Sequence, residues 1–390
     1  MPPAFSDISS PPSMQNGRLA AWYFAYFAFI GAFQPYFALY LQELGLPAQR
    51  IAWLMALSPA MRLVAPLCGS WFAARIGRRV RAVSVVSATM AAALLCFCGV
   101  LATREFWGLA LALLSMHFFW SASLPLVEAL TLKSLEHRPE DYGRIRLWGS
   151  LGFIVTVMGI GWLLDHVGIA IVPWLDAAMI LATLLASLAL REAPLTPSAH
   201  AAEPLAGLYR GKMLALCLAS LCMVAAHGAL YVFYSIHLVA HGYDKSAIGA
   251  LWVLGVAAEI AVFLSMPYWS KRVSYRAILL ASFALAAVRF VMIGWGAESI
   301  VCLLLAQLLH GASFGAHHVA TLMTLNRWFS ARRQAHAQAL YGSVAYGAGG
   351  LIGAVLAGEL WVRVGSSWTY GAASVLALVG LMLIWRGVEE

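Results

Sequence analysis

The chain has 390 residues, of which 62% are hydrophobic and only 11% charged, and its mean hydropathy is +0.80. Soluble domains carry roughly 25% charged residues, so this composition excludes an ordinary water-exposed fold and leaves a lipid bilayer as the solvent for most of the surface. The net charge of +8 is spread in short groups between apolar runs, which excludes nucleic acid as a partner and fits the basic cytoplasmic loops of a membrane protein.

Residues 1–17 are rich in Pro and Ser and hold no Lys or Arg. They are predicted to be a disordered cytoplasmic N-terminus, not a cleavable signal. A spanning helix needs about 20 mostly apolar residues. Twelve such runs follow, at 18–42, 50–72, 81–101, 105–133, 143–165, 169–191, 212–239, 245–269, 275–296, 299–328, 335–360 and 366–386. The one long polar break, 192–211, holds Pro194, Pro197 and Pro204 and reads as a cytoplasmic linker. It divides an N-terminal six-helix bundle, 18–191, from a C-terminal one, 212–390. Of the 25 Lys and Arg residues, 18 fall at the termini and in the even-numbered loops, and four (Arg50, Arg104, Lys245 and Arg363) fall on the other side. That asymmetry predicts a multi-pass protein of the bacterial inner membrane with both termini in the cytoplasm.

The two halves resemble each other. A shift of 197 positions lays Gly31-Ala32 on Gly228-Ala229, Leu41 on Leu238, Gly45 on Gly242 and Arg75 on Arg272. Parallel six-helix repeats place a solute site between the halves, near the bilayer midplane. The expected fold is therefore an all-α membrane protein of twelve helices, two bundles related by a pseudo-two-fold axis.

Charge at the centre of a membrane helix costs about 2.5–3.5 kcal/mol on insertion scales and marks a wet pathway. Five such groups stand out: Arg62, Glu128, Arg146, Glu259 and Arg289. Glu128 and Arg146 flank a short polar turn and can pair to grip a solute. His117 shares the Glu128 face at helical spacing. Arg62 and Glu259 are equivalent in the repeat. Glu259 is the first choice for a protonation switch, because burial and a nearby cation move a carboxyl in opposite directions. Gln307, His310, Phe314 and His317 form one stripe with His318 beside it, and histidine titrates near neutrality, so His310, His317 and His318 are further proton carriers. Gln34, His227 and Tyr231 are polar positions on mid-helix faces that need partners. The six cysteines lie in apolar runs without metal-ligand spacing, and no ATP-binding motif is present. A proton or solute gradient is left as the energy source, with no cofactor and no metal.

Ser70-Trp-Phe-Ala-Ala74-Arg75-Ile-Gly77-Arg78-Arg79 resembles the loop signature Gly-x-x-x-Asp-Arg-x-Gly-Arg-Arg of the major facilitator superfamily, with Ser70 and Ala74 as departures. The resemblance implies gating roles for Arg75, Arg78 and Arg79, joined by Arg62. Pro125-Leu-Val-Glu128-Ala and Asp141-Tyr-Gly143-Arg144-Ile-Arg146-Leu-Trp-Gly149 resemble the helix 4–helix 5 hairpin of the lactose permease group, and more closely its 3-phenylpropionate permease branch. So do Ala225-Ala-His227 and the run from Leu251 to Glu259. In the lactose permease group the Glu and Arg of that hairpin bind substrate. Arg289 and His310 occupy positions similar to its helix 9 Arg and helix 10 His. Where that group has a Lys and a proton-carrying Glu, this chain has Gln307 and Ser313. The implied protein is a monomeric proton symporter importing a small organic solute, an aromatic or other carboxylate, by alternating access. The alternatives are a sugar or nucleoside symporter, or an efflux antiporter.

Overall fold

A computed structural model describes residues 14–76, 82–135, 141–191 and 211–388, with only the backbone for 65–76, 331, 332 and 335. Six helices form the first half: α1 Met14–Glu43, α2 Ala48–Ile76, α3 Ala82–Ala102, α4 Phe106–Ser134, α5 Tyr142–Val167 and α6 Val172–Ala189. The second half begins with α7 Lys212–Ala240, α8 Lys245–Trp269, α9 Tyr275–Trp295 and α10 Ile300–Trp328. A last apolar stretch, His336–Gly387, has 52 residues. At 1.5 Å per residue it would be about 78 Å long, far more than the roughly 30 Å hydrocarbon layer. It breaks at Gly365, whose φ of 83° is open to glycine and strained for other residues. The break separates α11 (Ala331–Tyr341, a π-turn at Gly342–Gly349, and on over 350–364) from α12 (366–387). With α2, which carries Arg50, Arg62 and Arg75 in an otherwise apolar run, twelve crossings lie among the described residues, at the places the apolar runs predict.

One boundary differs. α1 starts at Met14, so Met14–Gly17 are helical and not part of an irregular tail. Gln15 donates to the Arg191 carbonyl at 2.8 Å and Arg18 reaches the Met14 sulfur, tying this first turn to the end of α6. Residues 1–13 and the linker up to residue 210 lie outside the described residues.

Burial separates inner from outer helices. Of the apolar core of each helix, 72% of α1 and 78% of α7 is buried, against 28% for α3, for α6 and for α8, the last of which faces the pathway as well as lipid. The outer helices show large apolar side chains such as Leu95, Leu185 and Leu188 to the surface, as a lipid-facing shell requires. The repeat is visible in packing. A Cβ on Gly152 of α5 would lie 2.2 Å from the Phe24 carbonyl of α1, and one on Gly349 of α11 would lie 2.8 Å from the Leu221 carbonyl of α7. Both members of the first pair, moved by 197, give the second. Small residues thus bring backbones together in each bundle at equivalent points. Gln34 donates to the carbonyl of Tyr231 at 2.7 Å, and these two residues are themselves 197 apart. Equivalent residues touch across a two-fold axis only when they lie next to it, so this bond marks where the axis passes, between α1 and α7.

The halves meet through α1 with α7, α2 with α11, and α5 with α8. Among the described residues, the hydrogen bonds across these seams involve Gln34, Tyr36, Gln49 and Asp165. All lie towards the end that carries the α1–α2, α5–α6, α7–α8 and α11–α12 turns. That end is closed.

Candidate functional site

The second half supplies a buried polar cluster. Arg289 of α9 is 0% exposed. Its Nε donates to the Ala306 carbonyl at 2.9 Å, one terminal nitrogen to His227 Nε2 at 3.1 Å, and the other to Gln307 Oε1 at 3.5 Å. His227 Nδ1 lies 2.8 Å from the Met223 carbonyl. A carbonyl can only accept, so Nδ1 carries the proton and Nε2 presents its lone pair to the guanidinium. All three partners of Arg289 are neutral, and no carboxylate pairs with it among the described residues. This is an uncommon state for a buried cation, which ordinarily has a counter-ion.

Glu259 of α8 lies beside this cluster. It pairs with His310 Nε2 at 3.3 Å, and its side chain is 20% exposed while that of His310 is 9%. His310 stacks on Phe314 with ring centres 5.5 Å apart and planes 8° from parallel; Phe314 in turn lies 4.6 Å from the His227 ring. Tyr231 follows one turn after His227, its ring 6.0 Å away.

In the first half, Arg146 Nε and Glu128 Oε1 are 4.0 Å apart, with 32% and 36% of their side chains exposed. At that separation the pair is Coulombic, not hydrogen-bonded. The guanidinium sits over the Phe27 ring at 4.2 Å and near the Tyr23 ring at 5.4 Å. Both charges open towards the end opposite the closed one. The side chain of Arg62, on α2, is exposed.

The structure thus brings together His227, Arg289, His310 and Glu259, with Tyr231 and Gln34 at their edge, and separately Glu128 with Arg146. His117 joins neither. It is 2% exposed and packs edge-on against Phe33 at 5.4 Å. Eleven residues from Glu128, it shares a face but lies about 16 Å away along the axis. Arg62 and Glu259 do not pair with each other among the described residues. The helix 10 stripe is also corrected. A π-turn at Gly311–Gly315 inserts a residue after His310, turning everything beyond it by about 100°. His317 turns towards α7 and α9, meeting Ser220 Oγ at 3.2 Å and the Phe283 ring. His318 takes its place, with Nδ1 2.8 Å from the Tyr346 hydroxyl and 3.3 Å from that of Tyr341. Arg78 and Arg79 and the side chain of Arg75 lie outside the described residues. Among the described residues no group of three or more His, Cys, Asp or Glu could hold a metal ion.

Among the ionisable groups that escaped the sequence reading are two carboxylates. Asp176 of α6 is 0% exposed, with no partner for either oxygen among the described residues. Its signal was plain, an Asp inside the apolar run Val172–Ala189. Asp165, near the end of α5, accepts from the backbone N–H groups of Lys245 and Ser246 across the seam. Its partners are 80 residues on, and nothing local announces them.

Comparison with known proteins fits this architecture. Residues 17–372 match the model of the MFS_1 like family. The chain is 31% identical over 384 residues to a probable 3-phenylpropionic acid transporter of Escherichia coli (strain K12), covering 94% of this chain and 96% of that one. It is 26% identical over 372 residues to a maltose permease of Geobacillus stearothermophilus, covering 93% and 92%. The crystal structure of the nucleoside transporter NupG superposes with a TM-score of 0.82 at 16% identity, covering 96% of this chain and 99% of that one, a likeness of fold. The chain belongs to the MFS_1-like family of the major facilitator superfamily and is a multi-pass membrane protein and secondary transporter.

Proposed function

We propose that this transporter is a proton symporter of the bacterial inner membrane that imports a small carboxylate with an apolar, aromatic body. The observation that carries the reading is Arg289, a fully buried guanidinium whose acceptors among the described residues are all neutral. Such a group gains most from an anion that comes and goes. A carboxylate is the natural partner, because it matches the guanidinium fork, and the rings of His227, Tyr231 and Phe314 suit an aromatic body. The name of the Escherichia coli relative points the same way. The two units are 14–191, starting where α1 starts, and 212–390, joined by the linker 192–211. Both termini are cytoplasmic, so the closed end is periplasmic and the conformation faces inward.

Charge balance supports coupling. Arg62, Arg146 and Arg289 stand against Glu128 and Glu259, which leaves one positive charge in the empty pathway. A monocarboxylate cancels it; a proton on Glu259, passed by way of His310, restores it. The empty carrier and the carrier holding both ligands then have the same charge, and either ligand alone changes it. A closure step sensitive to that charge admits only the empty and doubly loaded forms, which is symport. His318, between Tyr346 and Tyr341, offers the proton a way on towards the cytoplasmic end.

The Glu128–Arg146 pair favours a second reading, a sugar or nucleoside solute held by hydroxyl groups. Uptake of radiolabelled 3-phenylpropionate, maltose and uridine into proteoliposomes under an imposed pH gradient separates the two. The expected result is gradient-driven accumulation of the carboxylate alone, with Glu259→Gln retaining exchange but losing accumulation. Uptake indifferent to the gradient would remove proton coupling, and accumulation of only maltose or uridine would remove the carboxylate.

A further inference from the structure

Between α5 and α8 the two halves are joined by one residue acting on a helix end. Asp165 Oδ1 accepts from the Lys245 N–H at 2.8 Å, and Oδ2 accepts from the Ser246 N–H at 2.9 Å and the Ser246 hydroxyl at 2.5 Å. The first N–H groups of a helix have no partner within it. In α8 the third is taken by the helix's own cap, Asp244, at 2.7 Å. The first two are satisfied only from the other bundle. Asp165 therefore places a negative charge on the positive end of the α8 dipole, the favourable sign, and fills a gap that α8 leaves open.

The surrounding seam is built for close approach. A Cβ on Gly161 would lie 2.6 Å from the Lys245 carbonyl, and one on Gly249 would lie 3.0 Å from the Val157 carbonyl. The Tyr36 hydroxyl sits in the same groove, donating to Val157 at 2.8 Å. The equivalent seam in the repeat, α2 with α11, is held by a weaker contact, Gln49 to Glu359 at 3.4 Å. The two helices joined by Asp165 also carry the candidate ligands: Arg146 lies 19 residues before it on α5, and Glu259 lies 14 residues after Lys245 on α8, about 28 and 21 Å along the axes.

We infer that Asp165 is the latch of the closed end: it sets the balance between the two access states by capping α8 from the opposite bundle. The inference rests on alternating access but not on proton coupling or on the solute. Its test needs neither. Full-length protein in nanodiscs, with native cysteines replaced, is spin-labelled in two pairs. Val167 and His241 span the closed mouth, and Leu132 and Met323 span the other.

In Asp165→Asn the ratio of open to closed molecules at the Val167–His241 mouth is expected to rise about tenfold, equivalent to 1.4 kcal/mol. Ser246→Ala, which removes one of the three bonds, gives a smaller rise in the same direction. In both variants the Leu132–Met323 distances shorten in proportion, because a latch moves an equilibrium and opening one end closes the other. Unchanged distributions in both variants would overturn the inference. So would a mouth that widens at Val167–His241 with no narrowing at Leu132–Met323, since that is local loosening and not a shift of state. Failure of carboxylate or proton uptake would leave these distances untouched, so the two readings fail separately.

Discussion

Replacing Arg289 by methionine separates a binding role from a structural one, because the two predict opposite balances of stability and affinity. The guanidinium is buried with no carboxylate paired to it among the described residues, and taking a cation out of water costs several kcal/mol even after relaxation. Methionine fills similar space and removes that cost. It also strands three acceptors, the Ala306 carbonyl, His227 Nε2 and Gln307 Oε1, at about 1–3 kcal/mol each where no water replaces the donor. These terms nearly cancel, so the thermal midpoint of purified Arg289→Met should stay within a few degrees of the parent. Affinity has no such compensation. A carboxylate on the guanidinium fork loses two charge-assisted bonds of about 1.5–3 kcal/mol each, which is roughly a hundredfold to ten-thousandfold in Kd. Equilibrium binding of radiolabelled 3-phenylpropionate to protein in nanodiscs reads this directly. A Kd within threefold of the parent in a folded variant would refute the assignment. A midpoint lowered by more than 10 °C would show that Arg289 is there to hold the fold.

Two further substitutions probe packing and the π-turn. Gly152→Ala places a Cβ 2.2 Å from the Phe24 carbonyl and Gly349→Ala one 2.8 Å from that of Leu221. Both are expected to destabilise, within the usual 1–3 kcal/mol of overpacking and Gly152→Ala by more; thermal midpoints equal to the parent's would contradict the close approach. His318→Leu is expected to lower pH-gradient-driven accumulation to the level seen without a gradient, while His317→Leu leaves it intact. The reverse pattern in proteoliposome uptake would mean that the π-turn does not set which histidine faces the pathway.

The fold was legible because a bilayer imposes so few solutions. Twelve apolar runs and the displacement by 197 are enough for two bundles, and the structure adds the reason the displacement survives: Gly152 and Gly349 each seat a neighbouring helix backbone, so neither half could lose its glycine and keep its packing. The ionised residues were legible for the same reason, since lipid tolerates few of them. What composition could not show is pairing. Arg62 and Glu259 are equivalent in the repeat, and that equivalence did not show that Glu259 pairs with His310 on α10. Equivalence under a two-fold axis brings residues together only beside the axis, as for Gln34 and Tyr231, and says nothing about residues further out. Asp165 was invisible for another reason. A helix N-terminus draws a carboxylate from any part of the chain that reaches it, and sequence separation carries no information about that reach.

The misplaced histidine has a cause that sequence could have carried. Extrapolating a 3.6-residue period from His310 to His317 assumes that every intervening hydrogen bond spans four residues. Between them stands Gly311-Ala-Ser-Phe-Gly315, and on α11 stands Gly342-Ser-Val-Ala-Tyr-Gly-Ala-Gly349, the two places where the helices relax to the wider turn. Glycine weakens the preference for regular helix and leaves room for a neighbour. A Cβ on Gly311 would lie 2.3 Å from the Ala258 carbonyl, next to Glu259. The wide turn is therefore tied to the site: α10 can approach α8 closely enough for His310 to reach Glu259 only where Gly311 lets it. The register shift that turns His318 towards Tyr346 follows from the same turn. The positions of His310 against Glu259 and of His318 against Tyr346 are in this sense set by one irregularity. A substitution that restored regular helix there would bring His317 to the position that His318 holds and turn His318 about 100° further round, even with every titratable residue kept.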